Sequence, residues 1–188
     1  MFIAVLDLER EPVRFDIAFK PGAIDFVAEV SQKGPLAVEG QADLIEERRM
    51  GEQRGSLRTV EDIRLRGGYE GVFEIPCARC LDPVAHTLKG EFDLLFRPLG
   101  VDADSSERSI TTPETEIGYY QDGGLALEDV VREQVFLSLP ARSLCREDCK
   151  GICPRCGINL NSESCTCDRA PSDPRWSALS DLASRMKT

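Results

Sequence analysis

The sequence predicts an α+β protein: an antiparallel β meander with one packed helix, followed by a cysteine-rich C-terminal region and a short helix. Three observations support this fold class. Apolar and polar residues alternate over much of residues 36–96, and the apolar spacing becomes helical at about 126–138. The cysteines are concentrated near the C-terminus, with four of them inside residues 153–167. The chain has 188 residues, enough to bury a core without covalent cross-links.

Four segments show the period-two pattern of strands that bury one face. They are residues 36–47, 57–66, 69–77 and 84–96, and the short turn signals MGEQRGS, RGG and ARCLDP separate them. One buried face and one wet face are typical of antiparallel sheets. We therefore expect a meander of three or four long strands, in which His86 is an ordinary strand residue.

A change of composition marks the end of the β region. Residues 98–117 are rich in Asp, Ser, Thr and Glu and contain two prolines, which predicts a loop. After Gly123 and Gly124 the apolar residues follow helical spacing, and Pro140 ends that pattern. The sequence therefore predicts a helix at about 126–138.

The last residues predict a short amphipathic helix. Ser172 or Asp173 can cap its N-terminus, and Pro174 suits its first position. Its apolar face comprises Trp176, Leu179, Leu182 and Met186.

The chain is thus divided into three consecutive regions. Residues 1–97 are mainly antiparallel β, and residues 98–117 form an acidic and polar loop. Residues 118–188 contain the helix, the cysteine-rich module and the C-terminal helix. We expect this last region to form one structural unit with residues 1–97.

The formal net charge of −10 argues against binding through phosphate contacts alone, which depend on Lys and Arg. The arginines within residues 48–66 are mixed with acidic residues, so a solvated strand face is favoured over a basic patch. The N-terminus lacks the pattern of a secretory signal, and no apolar run approaches membrane-spanning length. We therefore expect a cytoplasmic protein with reduced thiols.

The spacing of Cys153, Cys156, Cys165 and Cys167 predicts a zinc knuckle. The turn in a C-x-x-C motif lets two thiolates face one ion, and four thiolates complete a tetrahedral zinc site. Gly157 permits the left-handed backbone that such a knuckle often needs. A disulfide between Cys165 and Cys167 would close a small, strained ring, which favours metal over disulfides.

The other four cysteines, Cys77, Cys80, Cys145 and Cys149, make up a second set by elimination. A second structural zinc ion at this set would tie the segment after the helix to the turn between two strands. An alternative remains open, in which Cys145 or Cys149 enters the first site and Cys77 and Cys80 stay a reduced pair.

Catalytic patterns are missing from the sequence. His86 is the sole histidine, and no Gly-rich phosphate loop or outstanding carboxylate pair is present. A thioredoxin-like role for Cys77 and Cys80 lacks its βαβ context. Because a site closed by four thiolates leaves no open coordination position, zinc here is expected to be structural and the protein is not expected to be an enzyme.

Four segments resemble the bacterial YceD family: PCARCLDPV, LEDVVREQVFLSLP, LCREDCKGICPRCGINLNSESCTC and DPRWSALSDL. The resemblance runs from about residue 36 to the C-terminus, and the C-terminal cysteine block is its specific part. It implies a role in ribosome biogenesis, in which family members are needed for accumulation of large-subunit (23S) ribosomal RNA.

The expected function is therefore that of a non-enzymatic, zinc-stabilised factor that binds precursor rRNA or a ribosomal protein of the large subunit. The acidic chain suits a basic protein partner. Candidate RNA or partner contacts are Arg142, Arg146, Lys150 and Arg155. The alternative is a redox- or zinc-responsive regulator acting through Cys77 and Cys80, and an RNA-processing enzyme is disfavoured. Neither a membrane nor a small-molecule substrate is expected.

Overall fold

The computed structural model describes residues 1–50, 57–101 and 116–167 of the chain. The chain forms two compact units. The first comprises Met1–Ile75 and Val84–Ala141, and the second comprises Pro76–Pro83 and the residues from Arg142 onward. The elements are, in chain order, β1 (Phe2–Ala4), α1 (Val5–Leu8), β2 (Val13–Phe19), β3 (Ser31–Gln32), β4 (Leu36–Met50), β5 (Leu57–Pro76), β6 (Pro83–Pro98), β7 (Ile117–Tyr120), β8 (Gly124–Ala126) and α2 (Leu127–Ser138).

A six-stranded sheet forms the body of the first unit, with the strand order β2-β4-β5-β6-β7 and β3 paired with β5. The three long strands β4, β5 and β6 are neighbours in both sequence and space, which makes them the predicted meander. The sheet is mixed, because β7 runs parallel to β6. The strands β1 and β8 form a separate antiparallel pair.

One expectation about the meander is wrong. The sequence predicts two strands, 57–66 and 69–77, with a turn at RGG, whereas the structure has the single strand β5. Gly67 lies opposite Gly40 of β4 in the ladder. A Cβ added at Gly67 would lie 2.3 Å from the Glu39 carbonyl oxygen, so these glycines permit close approach of two backbones rather than a turn.

Helix α2 confirms the prediction at about 126–138, while the four-residue α1 and the short outer strands were not predicted. Val130, Val131 and Val135 of α2 join the buried cluster supplied by the strands. The Tyr69 hydroxyl of β5 donates to the Gln134 carbonyl oxygen at 3.0 Å. Leu137, near the end of α2, is 73% exposed and lies outside this buried cluster.

The predicted polar loop and C-terminal helix are described only in part or not at all. Pro98 is the last residue of β6 and residues 99–101 follow it, while residue 116 precedes Ile117, the first residue of β7. The remainder of the loop, 102–115, and the predicted helix near the C-terminus lie outside the described residues.

A buried ion pair lies inside the first unit. The side chains of Arg97 on β6 and Asp62 on β5 are 2% and 3% exposed. The Arg97 Nε and Nη2 atoms donate to the two Asp62 carboxylate oxygens at 3.0 and 2.7 Å. Nη2 also reaches the half-exposed carboxylate of Glu47 at 3.1 Å. Such bidentate geometry fixes both side chains within an otherwise apolar region.

Candidate metal centres

The second unit brings the eight cysteines into two clusters of four thiols. Cluster A contains Cys77, Cys80, Cys145 and Cys149, and cluster B contains Cys153, Cys156, Cys165 and Cys167. Within each cluster all four sulfur atoms lie within 4.8 Å of one another. The β5–β6 connection supplies the first pair of cluster A, and the chain that follows α2 supplies the other six thiols.

The spacing of the sulfur atoms fits a tetrahedral ion rather than disulfides. Four thiolates at about 2.3 Å from one zinc ion would be about 3.8 Å apart. The sulfurs of Cys77 and Cys149 are 3.9 Å apart, and those of Cys80 and Cys145 are 3.6 Å apart. A disulfide bond would require about 2.05 Å. All eight cysteines are free, and the donor set of each cluster suits a soft divalent metal such as zinc.

The two C-x-x-C turns share one backbone design. In cluster A the N–H of Leu81 donates to the Cys77 carbonyl at 3.0 Å, and in cluster B the N–H of Gly157 donates to the Cys153 carbonyl at 2.9 Å. The residue after the second cysteine is left-handed in both turns, with φ of 65° at Leu81 and 75° at Gly157. The expected conformation of Gly157 is thus confirmed, and cluster A has leucine at the equivalent position.

Backbone N–H groups point at the first sulfur of each turn. The N–H groups of Arg79 and Cys145 each approach the Cys77 sulfur at 3.5 Å. Such donors, with that of Cys80 foremost, lower the pKa of Cys77 to about 6. Donors from Cys156 and Arg155 likewise lower the pKa of Cys153 to about 6. Each cluster therefore contains a thiol whose pKa lies below its ordinary value, which favours the ionised form in which cysteine binds metal.

Among the other thiols, the pKa is raised at three and lowered at one. Burial raises the pKa of Cys80 and of Cys145. A hydrogen bond from the Asn161 amide lowers the pKa of Cys149, whereas a hydrogen bond to Cys156 raises the pKa of Cys167 to about 12. Protons retained on such thiols would be released when a cation binds, so metal affinity should rise with pH.

Polar residues outside the cysteines hold the clusters, and sequence reasoning missed them. The Arg79 Nη1 atom donates to the carbonyls of Glu147 and Cys149 at 3.0 and 2.8 Å. Asn161 lies in the cluster B loop, yet its Nδ2 donates to the Cys149 sulfur of cluster A at 3.3 Å. Its Oδ1 accepts from the N–H of Lys150 at 2.9 Å. The one available signal was the asparagine content of residues 157–164.

A second link between the clusters runs through the first C-x-x-C turn. Asn159, also in the cluster B loop, donates from Nδ2 to the Asp82 carboxylate at 2.9 Å, and the same carboxylate accepts from the Cys80 thiol at 3.2 Å. The Arg79 carbonyl accepts from the N–H of Ile152 at 3.0 Å. The cluster B loop is therefore part of the surroundings of cluster A.

The left-handed Leu81 gives a direct test of the shared turn design. A left-handed backbone costs a non-glycine residue roughly 1–2 kcal/mol, so Leu81→Gly should stabilise the cluster A turn by up to about 1 kcal/mol after the entropy of glycine is counted. Amide hydrogen exchange should then slow by up to about fivefold at the Leu81-position N–H.

The matched change is Gly157→Leu, which should speed exchange at the cluster B turn. A Cβ at Gly157 meets no atom within 4 Å, so the expected loss is due to the backbone alone. Equal exchange rates in Leu81→Gly and the unchanged protein would contradict the strain argument.

The four basic residues singled out in the sequence all lie in the second unit and are exposed: Arg142, Arg146, Lys150 and Arg155. Arg146 donates to Asn161 Oδ1 at 2.8 Å and lies 3.4 Å from Asp148. Their role in binding RNA or a partner remains a prediction. His86 lies in β6, as expected of a strand residue.

The family model described as "Large ribosomal RNA subunit accumulation protein YceD" matches residues 65–183, which include both clusters. The chain belongs to the YceD family. The resemblance seen in the sequence is therefore confirmed. The matched region begins within β5, so most of the N-terminal part of the first unit lies outside it.

Similar proteins include bacterial and plastid chains. An uncharacterized protein of Mycobacterium tuberculosis is 38% identical over 130 residues, which cover 64% of this chain and 60% of the relative. An uncharacterized Mycobacterium leprae protein is 32% identical over 123 residues, covering 65% and 54%. An Arabidopsis thaliana protein named "Large ribosomal RNA subunit accumulation protein YCED homolog 1, chloroplastic" is 24% identical over 152 residues, covering 70% and 47%.

The match thus spans about 60% or less of the length of these relatives. No solved structure matches the chain. Within the described residues, no helix has both the length and the apolar character needed to cross a membrane.

Proposed function

We propose that the protein is a non-enzymatic, cytoplasmic, zinc-binding factor that supports accumulation of 23S rRNA during biogenesis of the large ribosomal subunit. It would act by binding precursor rRNA or a ribosomal protein. One observation carries this proposal: the family described as acting in large-subunit rRNA accumulation is matched over the very residues that hold both four-thiol clusters.

Zinc would have a structural role at both clusters. Clusters A and B would each bind one ion through four thiolates, and such binding contributes directly to the free energy of folding. A closed set of four sulfurs leaves no coordination position for water or substrate, which supports a factor that binds rather than an enzyme.

The charge of the chain bears on the partner. A net charge of −10 favours a basic protein over naked RNA. The exposed cations of the second unit offer a local exception, and we propose them as contacts to RNA or to the partner: Arg142, Arg146, Lys150 and Arg155.

The alternative function, a regulator that senses oxidants through Cys77 and Cys80, has less support. These side chains are 0% and 5% exposed. Thiol exchange requires access of an attacking group to the sulfur, so a structural role fits this pair better.

The proposal is tested by removing the protein from cells. Loss should lower the amount of 23S rRNA relative to 16S rRNA, and a plasmid-borne copy should restore the ratio. The tagged protein should sediment with large-subunit precursors. A copy with Cys153→Ser and Cys156→Ser should fail to restore the ratio if metal at cluster B is needed.

Two results would contradict the proposal. An unchanged ratio of 23S to 16S rRNA in cells that lack the protein would remove the biogenesis role. Cleavage of a defined rRNA precursor by the purified protein would show that it is an enzyme rather than a binding factor.

A further inference from the structure

Exposed apolar side chains gather at one surface of the first unit. Two adjoining grooves share Phe2, Tyr120, Gln121 and Asp122 in their walls. Eleven large apolar side chains are exposed in the described chain, and five of them line these grooves at 49–73% exposure: Phe2, Leu6, Leu99, Tyr119 and Leu137. Apolar clusters of this kind on a folded surface commonly mark interaction sites.

Phe2 and Leu137 of this surface lie on a strand and a helix. The Phe2 ring of β1 packs on Gly124 of β8, where an added Cβ would lie 2.8 Å from a ring carbon. Leu137 extends from the last turn of α2, whose opposite side is buried in the core. The Phe2 ring is therefore held against β8 before any partner arrives, which limits the entropy lost when it is buried.

Carboxylates surround the apolar groups. The walls of the two grooves contain Glu9, Glu61, Asp122, Asp129 and Glu133. Arg132 is the single basic residue in those walls, and it is paired with Asp129 at 2.9 Å. Five acids against one base give this surface a net charge of −4.

We infer that these two grooves, called here the Phe2 surface, form a docking site for a basic protein segment that carries apolar anchor residues. Lys and Arg of that segment would face the carboxylates, and its apolar side chains would enter between Phe2, Tyr119 and Leu137. The inference rests on the proposed function for its biological setting, since it names the class of partner. It assigns contact with a basic protein partner to the first unit, and the cations beside the cysteines remain proposed contacts to RNA.

The charge of the Phe2 surface argues against two other occupants. RNA would bring phosphates towards five carboxylates, and Arg132, the one basic residue in those walls, is too little to offset them. A second copy of the chain would bring the same acidic rim against itself, which opposes a symmetric contact. A basic segment with apolar anchor residues fits both the apolar side chains of the grooves and their negative charge.

The test uses the purified full chain, immobilised and exposed to RNA-free proteins extracted from large ribosomal subunits. We expect retention of a basic ribosomal protein. The double variant Tyr119→Ser with Leu137→Ser should weaken its binding by about tenfold or more, as expected for central apolar anchors. Glu133→Lys should weaken binding most at low salt, because the interaction is screened by ions.

Matched controls lie elsewhere on the same unit. Val27 and Val72 are exposed but do not line the grooves, so Val27→Ser with Val72→Ser should leave binding unchanged, as should Glu29→Lys. Circular dichroism should give the same spectrum for every variant. If the double variant does not fold, Leu137→Ser alone is tested in its place. Leu137 is 73% exposed, so this change should not disturb the core.

The outcomes separate this inference from the proposed function. Equal binding by both double variants, or retention of no protein, would overturn the inference. In a parallel experiment that offers a purified 23S rRNA fragment in place of the proteins, retention of the fragment that the Tyr119 and Leu137 changes abolish would overturn it as well. So would a dimer in sedimentation that the Tyr119 and Leu137 changes dissociate. Binding lost in the variant while removal of the protein leaves 23S rRNA unaffected would support the surface and contradict the biogenesis role.

Discussion

Replacing Asp62 with alanine is expected to lower the free energy of unfolding by about 3 kcal/mol, the lower limit for breaking a buried ion pair. The change would leave the Arg97 guanidinium, whose side chain is 2% exposed, without its main partner. Glu47 remains within 3.1 Å but is half-exposed, so it can offset only part of the loss. Urea denaturation followed by circular dichroism measures the effect.

Arg64→Ala is the matched control for a bidentate pair at the surface. Arg64 contacts Asp93 at 2.8 and 2.7 Å with both side chains exposed, and its loss should destabilise the protein far less than Asp62→Ala, because ion pairs in contact with water contribute little. The double change Asp62→Leu with Arg97→Met should recover much of the stability, because no charge is then left buried. Similar losses for Asp62→Ala and Arg64→Ala would contradict the role given to burial.

Zinc content should fall by one full equivalent in each of two cysteine-pair variants. The unchanged protein, purified under reducing conditions, should contain two zinc ions per chain. Cys77→Ser with Cys80→Ser removes half of the ligands of cluster A, and Cys153→Ser with Cys156→Ser does the same in cluster B. Because apparent zinc binding at such sites contributes about 10–16 kcal/mol, no other change should destabilise the second unit as much.

The first unit should remain folded in both variants, since its buried apolar cluster contains no cysteine. We expect the cluster A variant to perturb more of the chain, because Cys77 and Cys80 lie in the connection between β5 and β6. Elemental analysis gives the metal content and circular dichroism gives the β content. Unchanged zinc in the Cys77 and Cys80 variant would show that cluster A holds no metal.

The long strands were predictable from sequence because each buries one face, which imposes an alternation that is visible over ten or more residues. The turn predicted at RGG was wrong because glycine can permit either a turn or the close approach of two strands. Only the residue opposite it in the sheet shows which of the two applies. Gly67 faces Gly40 across the ladder, and that pairing joins residues 27 positions apart. The strands β7 and β8, with four and three residues, are too short to show a period.

Cluster B was predicted from its spacing and cluster A by elimination, while the residues around the two clusters were not predicted. A C-x-x-C turn is local, so its geometry is encoded in adjacent residues. The contacts of Arg79 and Asn161 join segments 68–70 and 12 residues apart. Leu81 could have been found, since it occupies the place after a C-x-x-C motif that Gly157 holds in the second one.

The hydrogen bond from Asn161 to the Cys149 sulfur has a consequence for how the protein responds to scarce metal. The loop that donates it is ordered by the ligands of cluster B on either side, so emptying cluster B would also remove a donor from cluster A. Cluster A would then bind its ion more weakly in a chain whose cluster B is empty, although each site could still load alone. When zinc is scarce, a chain that has lost the ion of cluster B would therefore also lose the ion of cluster A more readily than a fully loaded chain would.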